Sequence, residues 1–600
     1  MPPAPRTLPW LLLALCACTS APATTSDGTG GPPTSSTGEA TTAPTGTPTT
    51  TPGEPDPSST TTTTSSATTT PDPDTGTTAD PTGDGPGPVA ESPWGIASSH
   101  SSSQSLDAWA APIATTGVDW LRGFDTANAD ARLATAAANG MQVAGILFYS
   151  AQEPASFPVD DLPGWQDHIT TLLTQTQGKV KYWEVWNEPP NFSQNKDPAA
   201  YAAIVQSAYD AAKAVDPAVQ IGLAAQSNNV NFLDQALLAG AAGHFDYITV
   251  HPYEILDLVD DGWEGEYMSI VPTLRKLLAA RDPTKIDAPI WFTEIGEPVD
   301  DNHTPEHQAH TLVKAYTLAL AQGVTRVHWF EGKDGDSGPF GLLDGGGNPR
   351  PSHTALTTLI THLGGLPHYR GWLLLNSEHY GFVFTHDTTR ILVAWARPGQ
   401  STDLSFPTPV QIVDPLTGAT SRSTQYTLTT PILLTDIPAD LLAEAAANRP
   451  LPFPWGGDFS SATSVSYTAA DGDSGLHPLG AAKLITIDGD PARDISERPA
   501  QAFTVDPNFL SYDSAAIEIK AVLRRNGAKP AGFNLKYEST TGTKSTGQWN
   551  NIEGSDQWYT RTWMIADDQL VGKWGYNFSF DSDSTDNSQY SIQSVTVTKL

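Results

Sequence analysis

Short apolar runs alternate with longer segments of helical period from Trp94 to Leu363, and that alternation sets the first expectation. The runs "WGIASSH" (Trp94 to His100), "VDWLRGF" (Val118 to Phe124), "MQVAGILFYS" (Met141 to Ser150) and "KYWEVWN" (Lys181 to Asn187) read as buried strands. "VQIGLAAQS" (Val219 to Ser227), "DYITVHPY" (Asp246 to Tyr253), "APIWFTEIG" (Ala288 to Gly296) and "TRVHWFEG" (Thr325 to Gly332) complete a set of eight. Between them lie amphipathic helices. Asp197 is an N-cap before Pro198, and Tyr201, Ile204, Val205, Ala208, Tyr209 and Ala212 share one face. Thr304 and Pro305 open a second helix that Gly323 closes. Eight βα units of this size predict a (β/α)₈ barrel over residues 91–365. A doubly wound dinucleotide fold is disfavoured, because "WGIASSHSSS" lacks a glycine-rich phosphate loop.

The pattern changes on either side of the barrel. "HYGFVFTHD", "RILVAWAR", "VQIVDP" and "YTLTTPILLTDI" alternate as antiparallel strands, predicting a small β-domain over 366–447. "NRPLPFP", Asn448 to Pro454, reads as a linker, and the alternating runs beyond it predict a jelly-roll sandwich closing the region 448–600. At the other end, a short apolar run follows Arg6 and ends in "LCAC", Leu15 to Cys18. It is too short to span a bilayer and reads as a signal over 1–18, either an ordinary secretory one or a lipoprotein one. Residues 19–90 are rich in Thr, Ser, Pro and Gly, and from Thr19 to Pro88 they contain no aromatic, Leu, Ile, Val, Met, Lys or Arg. Such a tract cannot bury enough apolar surface to order itself, so it reads as an extended tether.

Composition then narrows the partners. Acids outnumber bases 66 to 32, a formal charge of −34, which disfavours nucleic acid and makes an acidic polymer a less natural substrate. Both cysteines, Cys16 and Cys18, lie in the signal, so the mature chain has no disulfide and no thiol nucleophile. Seventeen tryptophans supply candidate stacking surfaces for sugar rings, although such side chains also fill cores.

A barrel places its chemistry at the C-terminal ends of its strands. There the sequence puts His100, Arg122 with Asp125, Tyr149, Asn187 and Glu188, Gln226, His251 to Tyr253, Glu294, and Trp329 to Glu331. Glu188 and Glu294 end strongly apolar strands on opposite sides of the ring. Two facing carboxylates are the minimal apparatus for cleaving a glycosidic bond: one protonates the leaving oxygen and the other supports the oxocarbenium-like carbon. The competing reading for each is a buried ion pair. Glu184, deeper on the fourth strand, is read as a structural acid, and Glu297 as a loop-rim residue. Glu331 is read either as a sugar ligand or as part of a solvated loop. His303, His307 and His310 lack a metal-site pattern and read as a solvated helix start.

"WEVWNEP" and "WFTEIG" resemble the motifs of the retaining β-glycosidases of glycoside hydrolase clan A, most closely the family 39, β-xylosidase-like type. The resemblance covers Trp94 to Leu363 and is specific to the clan rather than to one sugar. It implies Glu188 as acid/base, Glu294 as nucleophile, Asn187 on the 2-hydroxyl, Tyr253 and His251 beside the nucleophile, and Trp329 as the floor under the sugar. Arg122 would bond and orient Glu294, while the charge of Glu294 would raise the pKa of Glu188. His100 and Glu331 complete the expected substrate contacts. No cofactor is implied for catalysis.

"LCAC" resembles a bacterial lipobox, with Cys18 as the lipidated residue. That implies a membrane contact through a lipid anchor and a place in the bacterial cell envelope, facing outward. The C-terminal sandwich resembles carbohydrate-binding modules, with Trp549, Trp558, Tyr559 and Trp574 as candidate platform residues and Asp581, Asp583 and Asp586 as a candidate structural Ca²⁺ site. The insert "EILDLVDDGWEGEYMS" after Tyr253 would close one end of the cleft or offer Trp263 to a longer chain. The expected partner is therefore a poly- or oligosaccharide. A non-catalytic glycan-binding lipoprotein and a transglycosylase stay open as alternatives.

Overall fold

The computed structural model describes residues 91–98, 106–123, 129–148, 156–191, 193–335, 337–375, 379–453, 457–554 and 557–600. The expectations for residues 1–90, including Cys16 and Cys18, and for His100, Asp125 and Tyr149 lie outside these ranges. Eight parallel strands close into a barrel: β1 (Trp94–Ala97), β2 (Trp120–Arg122), β3 (Gln142–Leu147), β4 (Tyr182–Val185), β5 (Gln220–Ala225), β6 (Tyr247–Val250), β7 (Ile290–Ile295) and β8 (Arg326–Phe330). β8 pairs back onto β1 through Trp94↔Val327 to Ala97↔Phe330, which closes the ring.

Local chemistry accounts for the helices between the strands. The Asp197 carboxylate accepts from the Ala199 amide at 3.0 Å and opens Pro198–Val215, whose face of Tyr201, Ile204, Val205, Ala208 and Ala212 is fully buried. Thr304 caps Pro305–Gln322, and Gly323 ends it at φ 93°, a left-handed conformation that costs glycine little. Among the described residues, no helix is long and apolar enough to cross a membrane.

Inside the barrel the side chains stack in layers, as the two-residue period requires. Tyr182, Tyr247 and Trp291 pack together at the N-terminal end, with Tyr247 and Trp291 centroids 4.1 Å apart. The Arg326 guanidinium lies among these rings, 3.4 Å from the Trp120 centroid and 4.0 Å from that of Trp291, and pairs with Glu91 at 2.6 Å.

After the barrel comes a six-stranded antiparallel sheet spanning His368–Leu374 to Ile432–Thr435. The segment read as a linker is packed: Phe453 lies 4.6 Å from Tyr380 and 5.8 Å from Phe382, centroid to centroid. The C-terminal region folds as two antiparallel sheets, seven- and five-stranded, around Phe503, Phe533, Phe578 and Phe580. This sandwich is seated on the barrel by polar contacts. Asn231 donates to Ser539 O at 2.9 Å and to Gln569 at 2.6 Å, and Thr273 and Ser511 share a 2.6 Å hydrogen bond. The insert after β6 folds into the helices Tyr253–Asp260 and Glu264–Met268, and Trp263 between them packs on the buried His477 ring of the sandwich at 4.1 Å.

Candidate active site

Three local features aim the acids at the mouth. Beyond β4, Trp186 and Glu188 both take left-handed backbone conformations, with φ of 69° and 46°. Such conformations are uncommon for residues with a Cβ and cluster at functional sites. The buried Trp186 ring, 4.3 Å from Phe148 and 5.2 Å from Phe157, holds this turn and presents Asn187 and Glu188. On β7 the pairing with β8 shifts between Phe292 and Ile295. An irregularity of this kind re-aims side chains, and here both Thr293 and Glu294 reach the interior network. Tyr253 stands at the start of the helix after β6, just beyond His251.

Arg122 ties the layer together. Fully buried, its guanidinium donates to Glu184 through Nε and Nη2, each at 3.1 Å, to Asn187 Oδ1 at 2.9 Å, and to Glu294 through Nη1. Burial opposes its charge, but Glu184 and Glu294 outweigh burial and raise its pKa above the ordinary arginine value. The Tyr253 hydroxyl donates to the other Glu294 oxygen at 3.0 Å. His251 is bound on both edges, to Glu188 through Nδ1 at 2.8 Å and to Thr293 through Nε2 at 2.9 Å. Its Nδ1 lies 3.7 Å from Glu294. Donor atoms of Glu188, His251 and Glu294 all fall within 4.8 Å of one another.

The electrostatics of this trio depart from the expectation for Glu188. Burial pushes its pKa up, yet the hydrogen bond and charge of His251 more than offset burial, and the carboxyl lies below its usual value. Burial lowers the His251 value in turn, and the charges of Glu294 and Glu188 reverse that and raise it. The two side chains therefore form one proton-sharing pair, with the proton favoured on the imidazole when no substrate is bound. The sequence-based expectation weighed only the repulsion from Glu294 and left out His251.

Three further expectations are corrected. Trp329 is fully buried and belongs to the apolar cluster of strand and helix side chains, with its indole donating to Phe340 O at 3.3 Å. Alternation along β8 turns its neighbour Phe330 to the mouth instead, where it packs edge-on to Tyr253 and Phe340 at 6.4 and 5.6 Å. Glu331 is buried and accepts the Gly335 amide at 2.9 Å, fastening its own loop. Glu297 is no rim residue: it is buried 3.1 Å from His303, and burial together with Asp257, Asp260 and Asp300 pushes its carboxyl up to about 9.

Glu297, His303 and His307 also bring three donor atoms within 4.8 Å. Each histidine is already engaged, His303 with Glu297 and Asp300 and His307 with Asp260 at 2.9 Å. In the sandwich, Asp581 is paired with Lys536 and accepts the Asp583 amide, while Asp583 and Asp586 are exposed, the pattern of an Asp-rich turn. Trp549, Trp558 and Trp574 are half-buried and held by different neighbours, Asn551, Asp490 and the Lys573 ammonium respectively. Tyr559 is half-buried against the sandwich core. Sequence reasoning missed Thr293 and Asn191, the last donating to Glu188 at 3.3 Å, and chose Trp329 over Phe330 within the β8 end it had named. The strand alternation offered a signal for Phe330.

No family model matches the chain, and no curated protein matches it. Solved structures resemble it in fold. A family 39 glycoside hydrolase from the gut symbiont Bacteroides cellulosilyticus WH2 aligns at 18 % identity over 57 % of this chain and 80 % of its own, with a TM-score of 0.48. The GH39 enzyme from Xanthomonas axonopodis pv. citri aligns at 16 % identity over 54 % of this chain and 89 % of its own, TM-score 0.40. A monomeric β-xylosidase from Caulobacter crescentus CB15 aligns at 14 % identity over 85 % and 98 %, TM-score 0.41. At these identities and TM-scores the chemistry must be argued from the site itself.

Proposed function

We propose that this chain is a retaining β-glycoside hydrolase acting on a poly- or oligosaccharide. The observation that carries the reading is the opposed pair itself. Glu188 and Glu294 have carboxylate oxygens within 4.8 Å, one acid bonded to a proton carrier and the other to a buried arginine and a tyrosine. Carboxylates this close suit the covalent glycosyl–enzyme route, whose carboxyl groups stand about 5 Å apart, rather than the wider spacing of inversion.

In the first step the His251–Glu188 pair delivers its proton from Nδ1 through the Glu188 carboxyl to the glycosidic oxygen. Glu294 attacks the anomeric carbon, the C–O bond to the leaving group breaks, and a glycosyl ester forms on Glu294. In the second step Glu188 takes a proton from water, and the resulting oxygen nucleophile displaces Glu294. Arg122 and Tyr253 hold Glu294 in place for attack, and Arg122 also orients Asn187 toward the sugar. Phe330 supplies the apolar floor. Two carboxylates carry this chemistry without a cofactor.

The signal at 1–18, lipidation at Cys18 and the 19–90 tether belong to the same proposal: the barrel works outside the cell on a lipid-anchored stalk. The decisive experiment screens aryl β-glycosides and treats the enzyme with the matching 2-deoxy-2-fluoro sugar. Mass spectrometry should place the label on Glu294. Turnover of no β-glycoside would leave the protein a glycan binder, and unchanged activity in Glu294→Ala would remove Glu294 as the nucleophile.

A further inference from the structure

Where the sandwich meets the residues just past β5 it presents the loop Val571 to Gly575, and that loop is built to be rigid. The buried Glu538 carboxylate accepts the amides of Val571, Gly572 and Lys573 at 2.8, 2.9 and 2.8 Å and the Asn577 side chain at 2.8 Å. Four donors on one carboxylate fix the loop's path. The barrel meets it with residues just past β5: Asn228 donates to Val571 O at 3.1 Å, and the Ser227 hydroxyl bonds both Lys573 O and the Glu254 carboxylate. At Gly575 an added Cβ would lie 2.9 Å from Glu254 O, so the backbones approach as closely as glycine allows.

This contact is two links from the chemistry. Ser227 O accepts the His251 amide, and His251 bonds Glu188. Through Ser227 and His251 the approach leads to the acid/base, and the same loop also lies against Glu254, the residue after Tyr253. Glu188 serves the oxygen of the group that departs, so the loop stands on the leaving-group side. There it carries a half-buried indole, Trp574, with the Lys573 ammonium 4.3 Å from its centroid.

We propose that this loop is the wall of the leaving-group subsite, Trp574 stacking on the departing sugar and Lys573 holding one of its oxygens. The sandwich is thereby part of the catalytic unit and reads the substrate beyond the cleaved bond. The inference rests on the glycosidase reading and adds which domain sets specificity there. The surrounding charges agree: burial pulls Lys573 down to about 8, and burial pushes Glu254 up to about 7 with the nearby Glu188 charge adding to it.

The test compares, for the full-length enzyme, the fastest aryl β-glycoside with a β-linked oligosaccharide of the same non-reducing sugar. Trp574→Ala and Lys573→Met should lower kcat/KM on the oligosaccharide about tenfold more than on the aryl glycoside, and Trp574→Phe, which keeps a ring, should recover most of the loss. Thermal melting shows that each variant is folded. Equal losses on both substrates, or no loss on either, overturn the subsite. A wild type that cleaves neither overturns the glycosidase reading and the inference with it.

Discussion

Arg122 and Arg326 are both buried in the same barrel, one near each end, and the protein treats them differently. Arg122, at the C-terminal end, spends its donors on two glutamates and an asparagine. Arg326, at the N-terminal end, pairs with the partly exposed Glu91 and lays its guanidinium against indole and phenol rings; among the described residues its Nε and Nη1 find no hydrogen-bond acceptor. Desolvation depresses the Arg326 pKa, with the Glu91 bond only partly offsetting it. One arginine gathers acids at the barrel mouth, and the other closes the barrel floor through dispersion and cation–π contact. The difference predicts unequal responses to mutation.

The largest effect should fall on turnover at the Arg122 end. Glu188→Gln should cut kcat on a substrate with a poor leaving group by about 10²–10⁴-fold, measured by initial rates, with the fold intact by circular dichroism. Arg122→Met should come next. It strands Glu184 inside the barrel without its charge partner, costing about 3–5 kcal/mol in denaturant unfolding and most of the activity. A near-neutral result would show that Glu184 is held by other means.

A smaller effect should appear with pH. His251 has a raised folded pKa, so its stabilisation is complete below the ordinary histidine value and fades as pH rises through the raised one. Glu188 has a depressed folded pKa, so its share is present above the ordinary glutamate value and is lost as pH falls through the depressed one. Melting temperature should therefore peak between those limits, and kcat/KM should fall on the alkaline side as His251 loses its proton. His251→Phe should move that alkaline limb, and an unmoved limb would remove His251 from the proton path. Arg326→Met should matter least: about 1–2 kcal/mol of stability, because lost cation–π contact is offset by relief of the unpaired donors, with kcat unchanged per folded molecule. A loss equal to that of Arg122→Met would erase the contrast between the two ends.

Much of this was legible residue by residue. Asp197 and Thr304 announced their helices because capping is local, and Asn187, Glu188, His251, Tyr253 and Glu294 could be named because strand ends in a barrel face one mouth. Trp329 and Phe330 were harder. A one-residue change of phase decides which ring faces the barrel mouth, and the bulkier ring was the natural but incorrect choice. Glu297 looked exposed because its loop reads as polar; the fold turns His303 of the same loop back onto it and brings Asp257 and Asp260 from the helix after β6.

The chain's periodicity, caps and paired motifs by themselves determined a (β/α)₈ barrel with two opposed glutamates, since those signals act over a few residues. Only tertiary structure decided that β7 turns Thr293 and Glu294 inward together, that His251 holds the Glu188 carboxyl below its usual value, and that Lys573 O meets Ser227 across 346 residues of sequence. Each depends on strand phase or on distant segments packed at ångström range, and neither is written in local pattern.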